Sequence, residues 1–150
     1  MTELRVLVRN RKAFHEYFIL ETWECGIALL GPEVKSLLDG RGNLKDSYVF
    51  FKEGEAYLIH MHISPYPHAH HDPIDPERER KLLLHKNEIF KIAQKVREKG
   101  LTIVPLKMYI KQHKIKVEIA LVKGKRLYDK REAIKKREMS RDRGADRVRL

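Results

Sequence analysis

The sequence predicts a mainly β protein, a small antiparallel barrel with flanking helices and a basic C-terminal tail. Short strand-like segments occur at even spacing, two or three helix patterns interrupt them, and the apolar pattern stops after Val122. Such spacing is typical of small β-barrels. With 150 residues, the chain is long enough for one domain with a hydrophobic core.

The N-terminal half predicts extended segments and one short helix. Residues 1–13 are expected to form a flexible basic N-terminus, and residues 14–31 a β-prone stretch. In PEVKSLLDG, Pro32 suits a first helical position and Gly40 a C-terminal stop, which predicts a helix. SYVFF and AYLIHMHI flank KEGE and predict a hairpin with Gly54 in its turn.

Alternation along AYLIHMHI predicts which side chains of this segment share a face. The expected members of one face are Tyr57, Ile59, Met61 and Ile63, and those of the other face are Leu58, His60 and His62. This assignment treats the whole segment as one strand.

The C-terminal half predicts a long helix followed by two strands. Asp75 and Pro76 suit the start of a helix that runs through ERERKLLLHKNEIFKIAQKVREKG and stops at Gly100. Its expected buried stripe consists of Leu82, Ile89, Ala93 and Val96. The two alternating strands that follow meet at Gln112–His113, where the absence of Gly and Asn argues against a tight primed turn.

The charge distribution points to a polyanionic partner. The formal net charge is +11, and residues 123–150 alone carry 12 Lys or Arg against 5 Asp or Glu, a balance of 12 − 5 = +7. Nucleic acid is the first expectation and an anionic membrane surface the second. A thermophile-like surface rich in Lys and Glu would explain many charges but not an excess of one sign.

The segment GKRLYDKRE, Gly124 to Glu132, combines four basic residues with one aromatic residue. The basic side chains can neutralise phosphates, and Tyr128 can stack on an unpaired base. Asp129 can accept a hydrogen bond from a base edge or orient Arg131. The alternative is a solvated, charged strand end on which Tyr128 caps the core.

The tail, residues 132–150, has too few apolar residues to bury a stripe. Ile134, Met139 and Val148 are its only sizeable apolar side chains before the terminal Leu150. We expect a segment that is disordered alone and can become helical on a partner.

Several functional classes lack support in the sequence. A single cysteine, Cys25, excludes an internal disulfide and a Cys-rich zinc site. No apolar run suits a signal core or a membrane span, and a cytoplasmic protein is expected. No nucleophile motif or phosphate-cradling loop indicates an enzyme, and no cofactor is expected.

The histidines leave one alternative open. His60 and His62 precede the loop at residues 68–71, where His68, His70 and His71 are followed by Asp72. Imidazoles and a carboxylate could bind zinc, which would fit a metal-dependent enzyme. The spacing matches no known ligand pattern, so no metal site is expected.

Seven motifs in order resemble one known family. These are NRKAFHEYFI, ETWECGIALLGPEVKSLL, YVFFKEGEAYL, HISPY, DPERERKLLLHKNEI, VPLKMY and GKRLYDKRE, which together cover nearly the whole chain from Asn10 to Glu132. The chain resembles the SsrA-binding protein (SmpB) family, the protein partners of transfer-messenger RNA. No single motif would be specific, but the seven together are.

The resemblance implies a barrel of the oligonucleotide-binding type over residues 14–131. It also implies binding to the tRNA-like domain of transfer-messenger RNA and delivery of that RNA to stalled ribosomes in trans-translation. The protein would stand in for the anticodon arm that this RNA lacks and would assist its aminoacylation. It would be a monomer with no catalytic activity and no membrane partner. The alternative is a generic single-strand or ribosomal RNA-binding barrel without a rescue role.

The resemblance also implies site residues. It assigns RNA contact to Tyr17 of HEYFI, Glu24 of ETWECG, and Leu83 and His85 of LLLHK. It assigns the same role to the basic segment, at Gly124, Lys125, Arg126, Tyr128, Asp129, Lys130 and Arg131. Tail residues from Glu132 onward match the part that enters the decoding region of the small ribosomal subunit, among them Ile134, Lys135, Lys136, Arg137 and Met139.

The chain departs from the family pattern at several positions. Cys25 replaces the usual Ala, and His85 stands where some members have Asn, which also hydrogen-bonds RNA. The Gln112–His113 turn lacks the frequent Asn-Gly, and the loop at residues 68–71 is unusually rich in histidine.

Overall fold

The computed structural model describes residues 4–67, 73–97 and 100–124. The elements of these residues, in chain order, are β1 (Arg5–Arg9), α1 (Arg11–Glu16), β2 (Tyr17–Ile27), α2 (Gly31–Leu38), β3 (Gly42–Asn43), β4 (Tyr48–Lys52), β5 (Glu55–Ile59), β6 (His62–Ile63), β7 (Arg80–Leu83), α3 (Lys86–Val96), β8 (Leu101–Lys111) and β9 (Lys114–Gly124). None of these helices combines the length and the apolar character needed to cross a bilayer.

The described strands form one large antiparallel sheet and a two-stranded ribbon. The large sheet has the order β1-β8-β9-β2-β7-β5-β4, and β3 pairs with β6. The predicted fold class, mainly antiparallel β with flanking helices, is confirmed. The sheet curls so that β4 approaches β8, but its end strands β1 and β4 do not pair within the described ranges, so hydrogen bonds do not close the barrel.

The N-terminal segment, which was expected to be flexible, contains a strand. From Arg5 onward it forms β1, which pairs with β8 and places Arg5 opposite Ile110. Asn10 then starts α1: its side-chain oxygen accepts from the Ala13 amide at 3.2 Å, and its side-chain nitrogen donates to the Pro105 carbonyl at 2.8 Å. The sequence predicted a flexible segment because its pairing partner, β8, is about a hundred residues away and leaves no local signal.

The turn between β8 and β9 is tighter than expected. Gln112 and His113 have φ values of 51° and 64°, so both occupy the left-handed region that a primed two-residue turn requires. The expectation against such a turn was wrong because the long ladder of β8 and β9 pairs Lys111 directly with Lys114 and fixes the connection. Local residue preference is overridden by the register of the strands.

The predicted hairpin around Gly54 is confirmed, with Gly54 at φ 74° between β4 and β5. The face assignment that followed from one continuous strand was wrong. Tyr57 and Ile59 are partly exposed, whereas Met61 and Ile63, which were expected on the same face, are buried. His60 breaks the strand with φ 64°, so the side chains after it follow a new alternation.

The long helix predicted after Asp75 was also wrong, because its first half is strand β7. The Asp75 carboxylate accepts from the Glu77 amide at 2.9 Å and stabilises a turn only. In β7, Arg80 and Leu82 point inward and are fully buried, while Leu83 faces solvent. The helix α3 begins after His85, where Glu88 accepts from the His85 amide at 3.1 Å. Alternation with a period of two therefore governs residues that helix propensity had assigned to a helix.

Two apolar clusters hold the sheet. The larger lies inside its curve and includes Leu37 of α2, Leu58, Leu82, Ile92 of α3 and Ile119. The smaller lies beneath α1 on the other side, and its buried members are Ala13, Val104, Leu106, Ala120 and Val122. The helix α2, which the sequence predicted, and the helix α3 both pack on the larger cluster. Of the three helices in the described residues, only α1 covers the other side of the sheet, and it covers only part of that side.

A buried ionic network joins α2 to β7. Arg80 is 0% exposed and Glu33 is 3% exposed. The Arg80 guanidinium donates to Glu33 at 2.8 Å, to the Met61 carbonyl at 2.6 Å and to the Pro76 carbonyl at 2.9 Å. Arg78 donates to the same carboxylate at 2.5 and 3.0 Å. One carboxylate thus pairs with two arginines and links segments that are distant in the chain.

Glu33 remains ionised although it is buried, because several groups donate hydrogen bonds to its carboxylate. Burial alone would raise the pKa of this carboxyl, but hydrogen bonds from Arg78, the Leu30 amide and Arg80 bring the pKa below its ordinary value of 4.5. The ionised form is therefore the one that the fold stabilises.

Replacing Glu33 by Gln should lower the free energy of unfolding by about 3–5 kcal/mol, because Arg80 would remain buried without its counter-charge. Urea unfolding measures this change. The matched control is Glu16→Gln, since Glu16 forms an exposed ion pair with Lys12 at 3.6 Å and should contribute much less. Equal losses in the two variants would contradict the role of the buried pair.

The same variant should change the acid sensitivity of the protein. Because the folded pKa of Glu33 lies below 4.5, its contribution is present above about pH 4.5 and is lost as the pH falls through the folded value. Glu33→Gln should remove this component of acid destabilisation.

Candidate nucleic-acid interface

We call the side of the sheet that faces away from the larger apolar cluster the outer face. It carries two rows of side chains. In the first row Lys107 of β8, Glu118 of β9 and Glu24 of β2 lie opposite one another. In the second row the register joins Tyr109, Lys116, Gly26 and Leu83 across four strands. Strand pairing thus brings together residues that are far apart in sequence, and it places Glu24 within reach of Tyr109, 85 positions away.

Glu24 is held in place on the outer face by two donors from β8. The Tyr109 hydroxyl donates to Oε2 of Glu24 at 2.5 Å. The Lys111 ammonium lies 3.3 Å from Oε1 and 3.4 Å from Oε2. Glu24 thus forms a surface ion pair with Lys111, and a buried tyrosine reinforces it.

These contacts keep Glu24 ionised. The Tyr109 hydrogen bond lowers the pKa of the Glu24 carboxyl, and Lys111 and Lys116 lower it further, against a smaller effect of burial. Burial and the bond to Glu24 both raise the pKa of Tyr109, so its hydroxyl remains a donor. An ionised, oriented carboxylate can accept hydrogen bonds from the amino and imino groups of bases.

Leu83 adds an exposed apolar contact two strands away from Lys116. Its side chain is 55% exposed, which is unusual for leucine in the middle of a sheet. It lies across Gly26, where an added Cβ would come within 3.3 Å of the Leu83 side chain. Glycine at this position lets Leu83 lie flat against β2.

The other two predicted residues of the body lie at different places. His85 is the exposed residue before α3, two positions after Leu83. Tyr17 begins β2 opposite Gly124, seven residues from Glu24, which corresponds to about 20 Å along a strand. The structure thus groups Glu24, Leu83 and His85, and it places Tyr17 where the chain leaves the sheet at Gly124.

The remaining predicted contacts lie outside the described residues. These are Lys125, Arg126, Tyr128, Asp129, Lys130 and Arg131 of the basic segment, and Ile134, Lys135, Lys136, Arg137 and Met139 of the tail.

Sequence reasoning missed the partners of Glu24. Alternation in VPLKMYIK predicts that Lys107, Tyr109 and Lys111 share one strand face, and the register places Lys107 and Tyr109 on the outer face. Their pairing with Glu24 depends on the register of β8, β9 and β2, which the sequence does not give. The position of Lys116 opposite Gly26 depends on the same register.

The histidines that are described serve other contacts. The His60 ring packs at a tilt against Tyr48, with ring centroids 5.6 Å apart. His62 Nδ1 lies 3.8 Å from a Glu77 carboxylate oxygen. Within the described ranges no group of three His, Cys, Asp or Glu side chains is arranged to hold a metal ion. The histidine-rich loop at residues 68–71 and Asp72 lie outside these ranges.

Comparison with known proteins identifies the family of this chain. The family model described as SmpB protein matches residues 7–148. The chain belongs to the SmpB family. The resemblance seen in the seven motifs is thereby confirmed over almost the whole sequence.

Relatives of similar length support the same assignment. The SsrA-binding protein of Syntrophobacter fumaroxidans is 54% identical over 145 residues, which cover 97% of this chain and 89% of the relative. The SsrA-binding protein of Caldicellulosiruptor bescii is 57% identical over 136 residues, which cover 91% of this chain and 86% of the relative.

A solved structure supports the fold. A chain from the structure described as "tmRNA-SmpB: a journey to the center of the bacterial ribosome" matches with a TM-score of 0.69 and 47% identity. The match covers 89% of this chain and 94% of that chain.

Replacing Tyr109 by Phe should raise the pKa of Glu24 toward its ordinary value of 4.5, because the strongest donor to the ionised carboxylate is removed. An NMR titration of the side-chain carboxyl measures this directly. Tyr57→Phe is the matched control, since Tyr57 lies on β5 and the Glu24 pKa should not respond to it. An unchanged Glu24 pKa in Tyr109→Phe would show that the hydroxyl does not hold the carboxylate.

Proposed function

We propose that this protein binds the tRNA-like domain of transfer-messenger RNA and delivers that RNA to stalled ribosomes in trans-translation. Family membership over residues 7–148 is the observation that carries the proposal. The relatives are named SsrA-binding proteins, and the matched structure is described as tmRNA-SmpB in the bacterial ribosome. The net charge of +11 suits a partner with a phosphate backbone.

The outer face is the part of the body that we assign to the RNA. Glu24 accepts hydrogen bonds from base edges, and Leu83 provides an apolar surface for an unstacked base. His85 donates or accepts at the same edge, beside the exposed start of α3. Lysines of β8 and β9 attract phosphates. The surface would therefore recognise the RNA by its charge as well as by its shape and a few splayed bases.

We also assign the basic segment, which follows β9 in the chain, to the RNA. Tyr17 and Gly124 mark the point where the segment leaves β9. We assign phosphate contacts to Lys125, Arg126, Lys130 and Arg131, base stacking to Tyr128, and orientation or base contact to Asp129. These roles rest on residue chemistry and on the family motif.

The tail is assigned to the ribosome. Residues 132–150 order in the decoding region of the small subunit, with Ile134, Lys135, Lys136, Arg137 and Met139 among the contacts. One chain then links two RNA partners, acts as a monomer in the cytoplasm where ribosomes work, and catalyses no reaction itself. A generic single-strand RNA-binding barrel is the competing function, because exposed Leu83 and the nearby lysines would suit many single strands.

Binding to the tRNA-like domain should survive an excess of ordinary tRNA at near-physiological salt. A filter-binding or anisotropy competition measures this, with an unstructured RNA of equal length as a second competitor. Retained binding is the expected result, because folded shape and splayed bases add to charge. Loss to either competitor would favour the generic RNA-binding barrel.

Truncation after Glu132 should leave RNA affinity nearly unchanged and abolish ribosome rescue. The reason is that the tail lacks an apolar stripe with which to pack on the body. The same RNA competition and an in vitro tagging assay on a message without a stop codon measure the two functions. Equal loss of both would contradict the separate role of the tail.

A further inference from the structure

An apolar groove lies between the β4–β5 turn and α3, and we call it the α3 groove. It has a volume of about 400 Å³. Its apolar walls come from Phe51 on the strand side and from Ile89, Phe90 and Ala93 on the helix side. None of the described residues assigned to the RNA lines it.

Phe90 is exposed at the edge of the α3 groove. Its side chain is 63% exposed, the largest fraction among the large hydrophobic side chains of the described residues. The preceding residue, Ile89, is only 5% exposed, so α3 packs on the fold through Ile89 and leaves Phe90 to solvent. An aromatic side chain beside an open apolar groove is typical of an interface, because such side chains contribute much of the binding energy once a partner covers them.

The charges around the α3 groove are balanced, which argues against a phosphate backbone as its occupant. Glu53 and Glu55 line the groove together with Lys52 and Lys86, whereas the whole chain carries a net charge of +11. Two carboxylates beside the groove would repel phosphates. The occupant that fits is therefore a protein surface with apolar and oppositely charged groups.

Two of these four charges are available to such a partner. Lys52 is paired with a carboxylate at 2.6 Å, and Glu55 is paired with an ammonium group at 3.4 Å. Glu53 on the turn wall and Lys86 on the helix wall form no ion pair with any described residue. The two walls of the groove thus present available charges of opposite sign.

We propose that two copies of this chain pair through the α3 groove when no RNA is bound. A two-fold axis parallel to the groove sets the turn wall of one copy against the helix wall of the other. Phe90 of each copy then packs over Phe51 of the other, and Glu53 of each copy meets Lys86 of the other. A two-fold axis across the groove would instead bring walls of like charge together, which disfavours that arrangement.

The net charge opposes this pairing and sets the conditions for measuring it. Two copies with a charge of +11 each repel one another at low ionic strength. At about 0.15 M salt this repulsion is screened beyond about 8 Å. The apolar contact of Phe90 with the opposite groove is not weakened by this screening, so self-association is measured at that salt concentration.

The pairing belongs to the free protein and is compatible with a monomer on the RNA. His85, which is assigned to the RNA, directly precedes Lys86 at the rim of the α3 groove. RNA bound at His85 therefore meets the second copy at the same edge and excludes it. This exclusion rests on the proposed function, whereas the pairing itself does not.

Sedimentation velocity of the full chain, purified free of nucleic acid, tests the pairing. Between about 1 and about 100 µM, the protein should pass from monomer to dimer. Phe90→Ala should weaken this association at least about tenfold, because the central aromatic contact is lost at both symmetric positions. A chain that remains monomeric over the whole range overturns the pairing.

Phe50→Ala is the matched control for Phe90→Ala. Phe50 is 50% exposed on β4 and does not line the α3 groove, so association should be unchanged in this variant. Circular dichroism and urea unfolding establish that both variants fold. Equal weakening in the two variants would indicate unspecific apolar association and overturn the interface at Phe90.

Charge reversal tests the orientation of the two copies. Glu53→Lys or Lys86→Glu alone should weaken association about three- to tenfold, since each dimer then contains two contacts of like charge. Mixing these two variants should restore association, because the mixed dimer has opposite charges at both contacts. In the control, Lys91→Glu replaces Lys86→Glu in the mixture and should restore nothing, because Lys91 is exposed on α3 but does not line the groove. Failure of the first mixture to recover overturns the proposed axis.

The exclusion by RNA has its own readout. Adding tRNA-like domain RNA should convert dimers into complexes that contain one copy of the protein. A complex of two copies that still depends on Phe90 would overturn the exclusion. If the protein loses the tRNA-like domain to ordinary tRNA, the proposed function fails, while the pairing measured without RNA is unaffected.

Discussion

The buried ion pair between Arg80 and Glu33 is the interaction on which the arrangement of this fold depends. Arg80 is fully buried, so its charge must be compensated and its donors must be satisfied inside the protein. Glu33 supplies the charge, while the carbonyls of Met61 and Pro76 accept the other donors. These requirements fix the start of α2, the break after β5 and the entry to β7 relative to one another.

The position of β7 in turn decides what the outer face presents. With Arg80 and Leu82 inward, Leu83 must point outward, opposite Gly26. The β8–β9 hairpin forms the other half of this surface, because its register places Tyr109 and Lys116 in the same row. Buried charge compensation and a long hydrogen-bonded ladder thus bring Leu83, Glu24 and the lysines to one edge.

Patterns that repeat within one segment were predicted well, and contacts between distant segments were not. The β4–β5 hairpin and α2 followed from Gly54 and from Pro32 with Gly40, since turns and helix ends depend on neighbouring residues. The strand at Arg80–Leu83 was mistaken for a helix because its residues suit both, and a distant carboxylate decides between them. In the candidate site, Glu24 and Leu83 were identified through the family motif, whereas Tyr109, which orients Glu24, was not.

The sequence by itself determined the charge excess, the mainly β class, the single-domain size and the family. Those properties depend on composition, local periodicity and ordered motifs, all of which are present in the chain before it folds. Only the tertiary structure decided the partner of β1, the primed turn at Gln112–His113, the donors to Glu24 and the position of Leu83 opposite Gly26. Each of these requires the register between strands that are far apart in sequence, and register is set by burying side chains and satisfying buried charges across the whole fold.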